Sequence, residues 1–90
     1  MPINALTQKE YQGGNVIALL ATEKKEQVWA TYRQWLKLGR QVQKGQKGTR
    51  LVKIVTVENL KAGEKVTKKV PRGFTVFNID QVKDIEEKAA

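Results

Sequence analysis

The side chains of this sequence that could do chemistry are cations, and they are unevenly spaced. No carboxylate lies between Glu26 and Glu58, while the same interval carries Arg33, Lys37, Arg40, Lys44, Lys47, Arg50 and Lys53. A second basic cluster, Lys65, Lys68, Lys69 and Arg72, follows with only Glu64 beside it, and the stretch from Asp80 to Glu87 turns acidic. Such segregation sets up a positive field over part of the surface, which draws phosphate backbones or other polyanions. A lone lysine-rich helix would be read as a solvated face. Seven successive charges of one sign over two structural elements point instead to a bound polyanion. Within the run, Lys44-Gly45 and Lys47-Gly48 combine point charges with glycines whose backbone amides can approach an anion. Ordinary turn formation explains the same glycines, and the Gly-x-x-x-x-Gly-Lys-Ser/Thr pattern of a nucleotide-hydrolysing loop is absent.

The aromatics are the other candidates, as platforms for unstacked bases. Trp35 and one of Phe74 and Phe77 are expected in the core, because a chain this small needs their apolar area. Tyr11, beside a Gly13-Gly14 pair, and Trp29, just ahead of a helix start, are the better stacking candidates, with a place in the core as the competing and slightly favoured reading of each. Much else is closed. With no cysteine and no histidine there is no disulfide, no thiol nucleophile, no usual zinc ligand and no base for a Ser-His-Asp relay. No carboxylate pair forms a recognisable acid–base constellation, so the expectation is a binding protein, not an enzyme, with no metal and no cofactor. Ninety residues with a formal charge of +8 describe one domain, 1–90, near the lower limit of independent stability. The N-terminus lacks a basic segment followed by an apolar one, and no apolar run approaches the ~20 residues that span a bilayer, so a cytoplasmic setting without membrane contact is expected.

Elements that could position these groups follow from patterning. Asn15 reads as the N-cap of a helix over 16–25, whose first half is apolar nearly all round and expected to be buried. Residues 27–30 read as extended. Thr31-Tyr32-Arg33-Gln34 matches a capping box, and Tyr32, Trp35 and Leu36 recur at the spacing of a helix core face, with Gly39 placed to end that helix. Arg33, Lys37 and Arg40 would then line the opposite face. Residues 49–57 read as a central strand, 65–70 as an edge strand and 74–79 as a third, with turns at 59–63 and at Pro71-Arg72-Gly73. The tail from Asp80 to Ala90 reads as a short helix. The expected fold is α+β, two helices packed on a small antiparallel sheet of about three strands.

Four blocks of the sequence carry a family resemblance. Tyr11-Gln12-Gly13-Gly14-Asn15 resembles a Tyr-x-Gly-x-Asn signature, and Trp29 to Gln34 resembles Trp-x-Thr-x-x-Gln. Gly39 to Gly48 is similar to Gly-x-x-Val-x-Lys-Gly-x-Lys-Gly, and Phe74 to Gln81 to a Phe-x-Val-Phe-Asn-x-x-Gln ending. In this order they resemble the N-terminal domain of the ArdC antirestriction family, found also in related plasmid primases and phage proteins. The resemblance implies non-specific binding of single-stranded DNA by a module of a mobile element, with antirestriction or strand protection as its setting. In ArdC-like proteins the domain precedes a metallopeptidase domain with a His-Glu-x-x-His zinc site. With no histidine here, that activity is not expected of this sequence, whether it is a free-standing module or an N-terminal fragment. Charge and resemblance meet on single strands, and the candidate nucleic-acid-binding residues are Tyr11, Asn15, Trp29, Arg33, Lys37, Arg40, Lys44, Lys47, Arg50 and Lys53. The alternatives are an RNA-binding module using the same charges, and an adaptor that docks an acidic protein.

Overall fold

The computed structural model describes residues 1–85. In chain order the elements are β1 (Ile3–Asn4), α1 (Gly14–Leu20), β2 (Val28–Thr31), α2 (Tyr32–Lys37), β3 (Arg40–Val42), β4 (Thr49–Lys61), β5 (Glu64–Asn78), a 3-10 turn at Ile79–Gln81, and β6 (Val82–Asp84). The main sheet runs β1-β2-β5-β4, and β3 pairs with β6 in a second sheet. β1 and β2 are parallel, whereas β2–β5, β4–β5 and β3–β6 are antiparallel.

This corrects the expected fold. The helices have only seven and six residues, whereas β4 and β5 have 13 and 15, so sheet dominates. The first helix stops at Leu20 instead of 25. Glu23 takes a left-handed φ of 56°, and the Thr22 hydroxyl donates to the Leu19 carbonyl, so the turn after Ala21 cannot continue as helix. Only Leu19 of α1 is buried, and Ile17, expected inside, is 72% exposed. Asn15 is not the N-cap: Gly13 holds that position, without a side-chain hydrogen bond. The capping box on α2 is present as expected. The Thr31 hydroxyl accepts from the Gln34 amide at 3.2 Å, and the Gln34 side chain accepts from the Thr31 amide at 3.0 Å. Gly39 ends the helical segment with a φ of 75°. The region from Asp80 is not helical: β6 pairs with β3 through Arg40–Asp84, Gln41–Lys83 and Val42–Val82. The rest of that expected helix lies outside the described residues.

The largest correction is the hairpin. β4 and β5 stay paired from Thr49–Val76 to Lys61–Glu64, joined by Ala62-Gly63 with φ of 50° and 79°. Positive φ at both central residues matches the twist of the flanking strands, so the turn closes without splaying them. Pro71-Arg72-Gly73, expected as a turn, is ordinary strand. Pro71 lies beyond the reach of β2, where β5 has one neighbour and a missing donor costs no second ladder bond. β4, expected to be central, is an edge strand with Val52 and Ile54 exposed.

Alternation along the strands puts a core on each face of the main sheet. Trp29, Val76 and Leu51 pack with Leu19 of α1 on one face, and Ala30 packs with Trp35 of α2 and Val82 of β6 on the other. Beyond this body the hairpin continues as a two-stranded arm. The Cα radius of gyration is 16.7 Å, against ~12 Å for a compact domain of this length. Asn15 braces the base of the arm. Its amide donates to the Val52 carbonyl at 2.8 Å and its oxygen accepts from the Val52 amide at 3.1 Å, pairing with the edge as a neighbouring strand would.

Gly48 feeds the chain into β4 under a close approach. A Cβ there would fall against the Thr75 methyl, 2.9 Å from the Val76 carbonyl oxygen and 3.1 Å from the Phe77 ring. Gly48→Ala is therefore expected to lower stability by ~1–3 kcal/mol in urea unfolding. Unchanged stability would show that the loop yields freely.

Candidate functional site

Tyr32 opens α2 and Phe77 nearly closes β5, and both lie on the face of the sheet that carries Trp35. The Trp35 indole N–H donates to the Phe77 carbonyl at 2.9 Å, which fixes α2 against the end of β5 and so sets the distance between the two rings. Their centroids are 6.4 Å apart with planes at 71°, an edge-to-face pair. Tyr32 is 45% exposed. These rings form one wall of an open cleft of about 500 Å³. Gln41 and Val42 of β3, with Gln43 and Gln46 of the following loop, line the rest, and Lys44 and Lys83 stand among them. The size is that of a small-molecule site.

The loop that carries Lys44 is held from below. The Gln81 side chain donates to the Lys47 carbonyl at 2.7 Å and to the Gln46 side-chain oxygen at 3.3 Å. Gln81 in turn closes a capping box with Asn78, accepting from the Asn78 amide at 2.9 Å. Asn78 is fully buried, and its amide donates to the Glu26 carbonyl at 2.6 Å. The Asn-x-x-Gln ending and the Thr-x-x-Gln block are thus structural joints, with their amides occupied inside the protein.

The sequence-derived residues do not form one patch. Trp29 is removed from the candidates: it is 0% exposed, because β2 lies between β1 and β5 and its ring fills the core on the α1 side. Asn15 is engaged by Val52 through both amide atoms. Tyr11 is half-buried against the Leu19–Trp29 core, and its hydroxyl accepts from the Asn4 amide at 3.0 Å. Arg33 and Lys37 are exposed on the side of α2 turned away from Trp35, as their spacing requires. Arg40 does not extend their line. It follows the Gly39 turn into β3, where its guanidinium pairs with Asp84 at 3.3 Å. Lys44 is in the cleft, and Lys47 is exposed in the loop above Gln81. Arg50 pairs across from Thr75, so it shares the cleft's face of the sheet, and its guanidinium lies over Gly73. Lys53 is on the opposite face, 5.7 Å from the centre of the Phe74 ring.

Sequence reasoning missed Tyr32, Phe77, Lys83 and the glutamines. Tyr32 and Leu36 were expected in the core, but α2 is too short for the i, i+3, i+4 rule to define a buried stripe, and Leu36 is also exposed. The stretch from Arg40 to Lys44 holds Val42 as its one apolar residue, too little alternation to signal a half-buried strand. Among the described residues no cluster of three or more histidine, cysteine or acidic side chains could hold a metal, and no helix is long and apolar enough to cross a membrane.

The chain belongs to the family described as the N-terminal domain of anti-restriction factor ArdC, whose model matches residues 1–82. It is similar to the crystal structure of the antirestriction ArdC protein from the R388 plasmid, at 40% identity and a TM-score of 0.85 over 97% of this chain and 34% of that one. The Mn(II)-bound structure of that protein gives 37% identity and a TM-score of 0.78 over 98% of this chain and 36% of that one. An uncharacterized protein, y4eC, of Sinorhizobium fredii is 35% identical over 90% of this chain and 31% of its own length. The DNA primase TraC of Escherichia coli is 45% identical over 54% of this chain and 3% of its own length. The chain thus spans about a third or less of the relatives it matches.

Burial raises the Tyr11 hydroxyl above its ordinary value, with the Asn4 hydrogen bond opposing in part. The neutral form is the one the fold favours, so its contribution is complete below pH ~10 and is lost as pH climbs through the raised value. Tyr11→Phe should cost ~1 kcal/mol near neutrality, because the Asn4 amide loses an acceptor. The gap between wild type and variant should narrow above pH ~10 in thermal melts. A gap that is constant or grows with pH would contradict the placement.

Proposed function

We infer that this module binds single-stranded DNA without sequence preference, and that the Tyr32–Phe77 cleft is where bases are held. The observation that carries this is one half-exposed aromatic ring, buttressed edge-on by a second, in a cleft that also holds Lys44 and Lys83. A base has a π-face whatever its identity, so stacking on Tyr32 is sequence-tolerant, while the lysines meet phosphates. The exposed Gln41 amide can donate to or accept from any base edge, which suits binding without readout. Arg50, on the same face of the sheet, extends the positive surface beyond the cleft. Family membership and the likeness to a stretch of a plasmid primase support a DNA ligand. The biological setting we propose is protection of single strands of a mobile element in the cytoplasm, by binding and not by catalysis.

The test is fluorescence anisotropy with labelled oligo-dT. Tyr32→Ala should cost ~1–3 kcal/mol of affinity for each base stacked, and Tyr32→Phe should be nearly neutral. Lys44→Gln with Lys83→Gln should weaken binding and flatten the slope of log K against log[salt] by ~1.4, at ~0.7 per contact. Intact affinity in Tyr32→Ala would refute the cleft. Tighter binding of oligo-U than of oligo-dT would favour an RNA ligand, and an acidic protein retained after nuclease treatment would favour an adaptor.

A further inference from the structure

The arm carries a second basic surface on the side of the sheet away from the cleft. Between Val52 and Gly73 there are six cations, Lys53, Lys61, Lys65, Lys68, Lys69 and Arg72, against two carboxylates, Glu58 and Glu64. Register divides them. Residues paired across strands share a face, so Lys53 and Arg72 stand directly opposite each other, with Lys68 beyond them opposite Val57. The first carboxylate on that face is Glu64, at the tip. Lys65 and Lys69 are on the other face, the one continuous with Phe77, where Lys65 pairs with Glu58 at 3.6 Å.

Like charges placed directly across a ladder destabilise it, and nothing in the fold requires cations at both positions of the Lys53–Arg72 pair. A bound anion would remove that repulsion. The face offers no ring for stacking: no aromatic lies between Arg50 and Gly73, and Phe74 is covered by Lys53. Its polar chemistry is charge, on a row from Arg72 to Lys68 of ~14 Å set among Val55, Val57, Val66 and Val70. A row of that length can follow a short stretch of one duplex strand, which carries a charge every ~3.4 Å of helix axis with its bases already stacked inside. A strand held in the cleft lies on the opposite face of the sheet.

We propose that this face of the arm binds the phosphate backbone of duplex DNA, so that the module grips junctions between single and double strands. The proposal goes beyond the single-strand reading and can fail separately from it. The experiment compares labelled oligo-dT, a blunt duplex and the same duplex with a dT tail. Wild type should bind the tailed duplex at least five-fold more tightly than either component. Lys68→Gln with Arg72→Gln should abolish that preference, lower the salt slope of the tailed complex by ~2 at ~0.9 per contact, and leave oligo-dT affinity within two-fold. Lys65→Gln with Lys69→Gln removes the same charge from the other face and should retain most of the preference. Absence of a preference in wild type, or equal losses from the two double variants, would overturn the proposal. Duplex binding sensitive to Lys68 and Arg72 in a protein that ignores oligo-dT would refute the cleft and, with no single strand held beside the duplex, the junction grip as well.

Discussion

An amide side chain withdrawn from water must find its donors and acceptors inside the protein, or cost the fold more than a good hydrogen bond returns. Here three such side chains, Asn4, Asn78 and Gln81, together with the half-buried Gln34, meet that demand by tying together segments distant in sequence. Asn4 joins the N-terminal strand to Tyr11 and to Gln34 of α2, and its oxygen caps the turn at Leu6 and Thr7. Asn78 joins the end of β5 to the carbonyl before β2, and Gln81 joins the 3-10 turn to the loop ahead of β4. Among the described residues no buried side-chain polar atom is left without a partner. The core is small, so these joints decide where α2, the glutamine-rich loop and the hairpin sit relative to one another.

The cleft is a consequence of that arrangement. Trp35 ties α2 to Phe77, Gln81 holds the loop of Lys44 from beneath, and Gly48 lets that loop pass close over Thr75 and Phe77. Tyr32 is left between them with half its surface in water. A side chain that is neither packed away nor free to collapse is a preorganised surface, and preorganisation reduces the ordering cost of binding a flexible strand. The long hairpin is the other consequence. Once β5 leaves β2, only its pairing with β4 and the Ala62-Gly63 turn support it, and its surface is free to carry charge.

Local signals were legible in the sequence where a few adjacent residues settle the outcome. The Thr31–Gln34 capping box, the Gly39 stop, the extended stretch before Thr31 and the burial of Trp35 all follow from neighbours within a turn or two. The acid-free run was equally plain, but its division was not: alternation sends Arg50 and Lys53 to opposite faces, and a tight turn carries Arg40 off the line of Arg33 and Lys37. Pro71 and Gly73 read as a turn because both are turn residues. In a ribbon with one neighbour, however, a missing donor is tolerated and a missing side chain makes room for Arg50. Tyr32 and Trp29 were exchanged for a related reason. A six-residue helix has no stripe long enough to bury Tyr32, whereas a central strand buries Trp29 whatever flanks it.

The central claim is that single strands are held at Tyr32 and Phe77 and not at Tyr11 or Trp29. The most direct measurement is a titration of the isotope-labelled protein with oligo-dT, followed by amide and aromatic chemical shifts. The account predicts that Tyr32, Phe77, Lys83 and the loop from Gln41 to Gln46 shift together and saturate together, while Leu19 and Trp29 stay in place. Shifts centred on Tyr11 and α1, with Tyr32 unmoved, would contradict it.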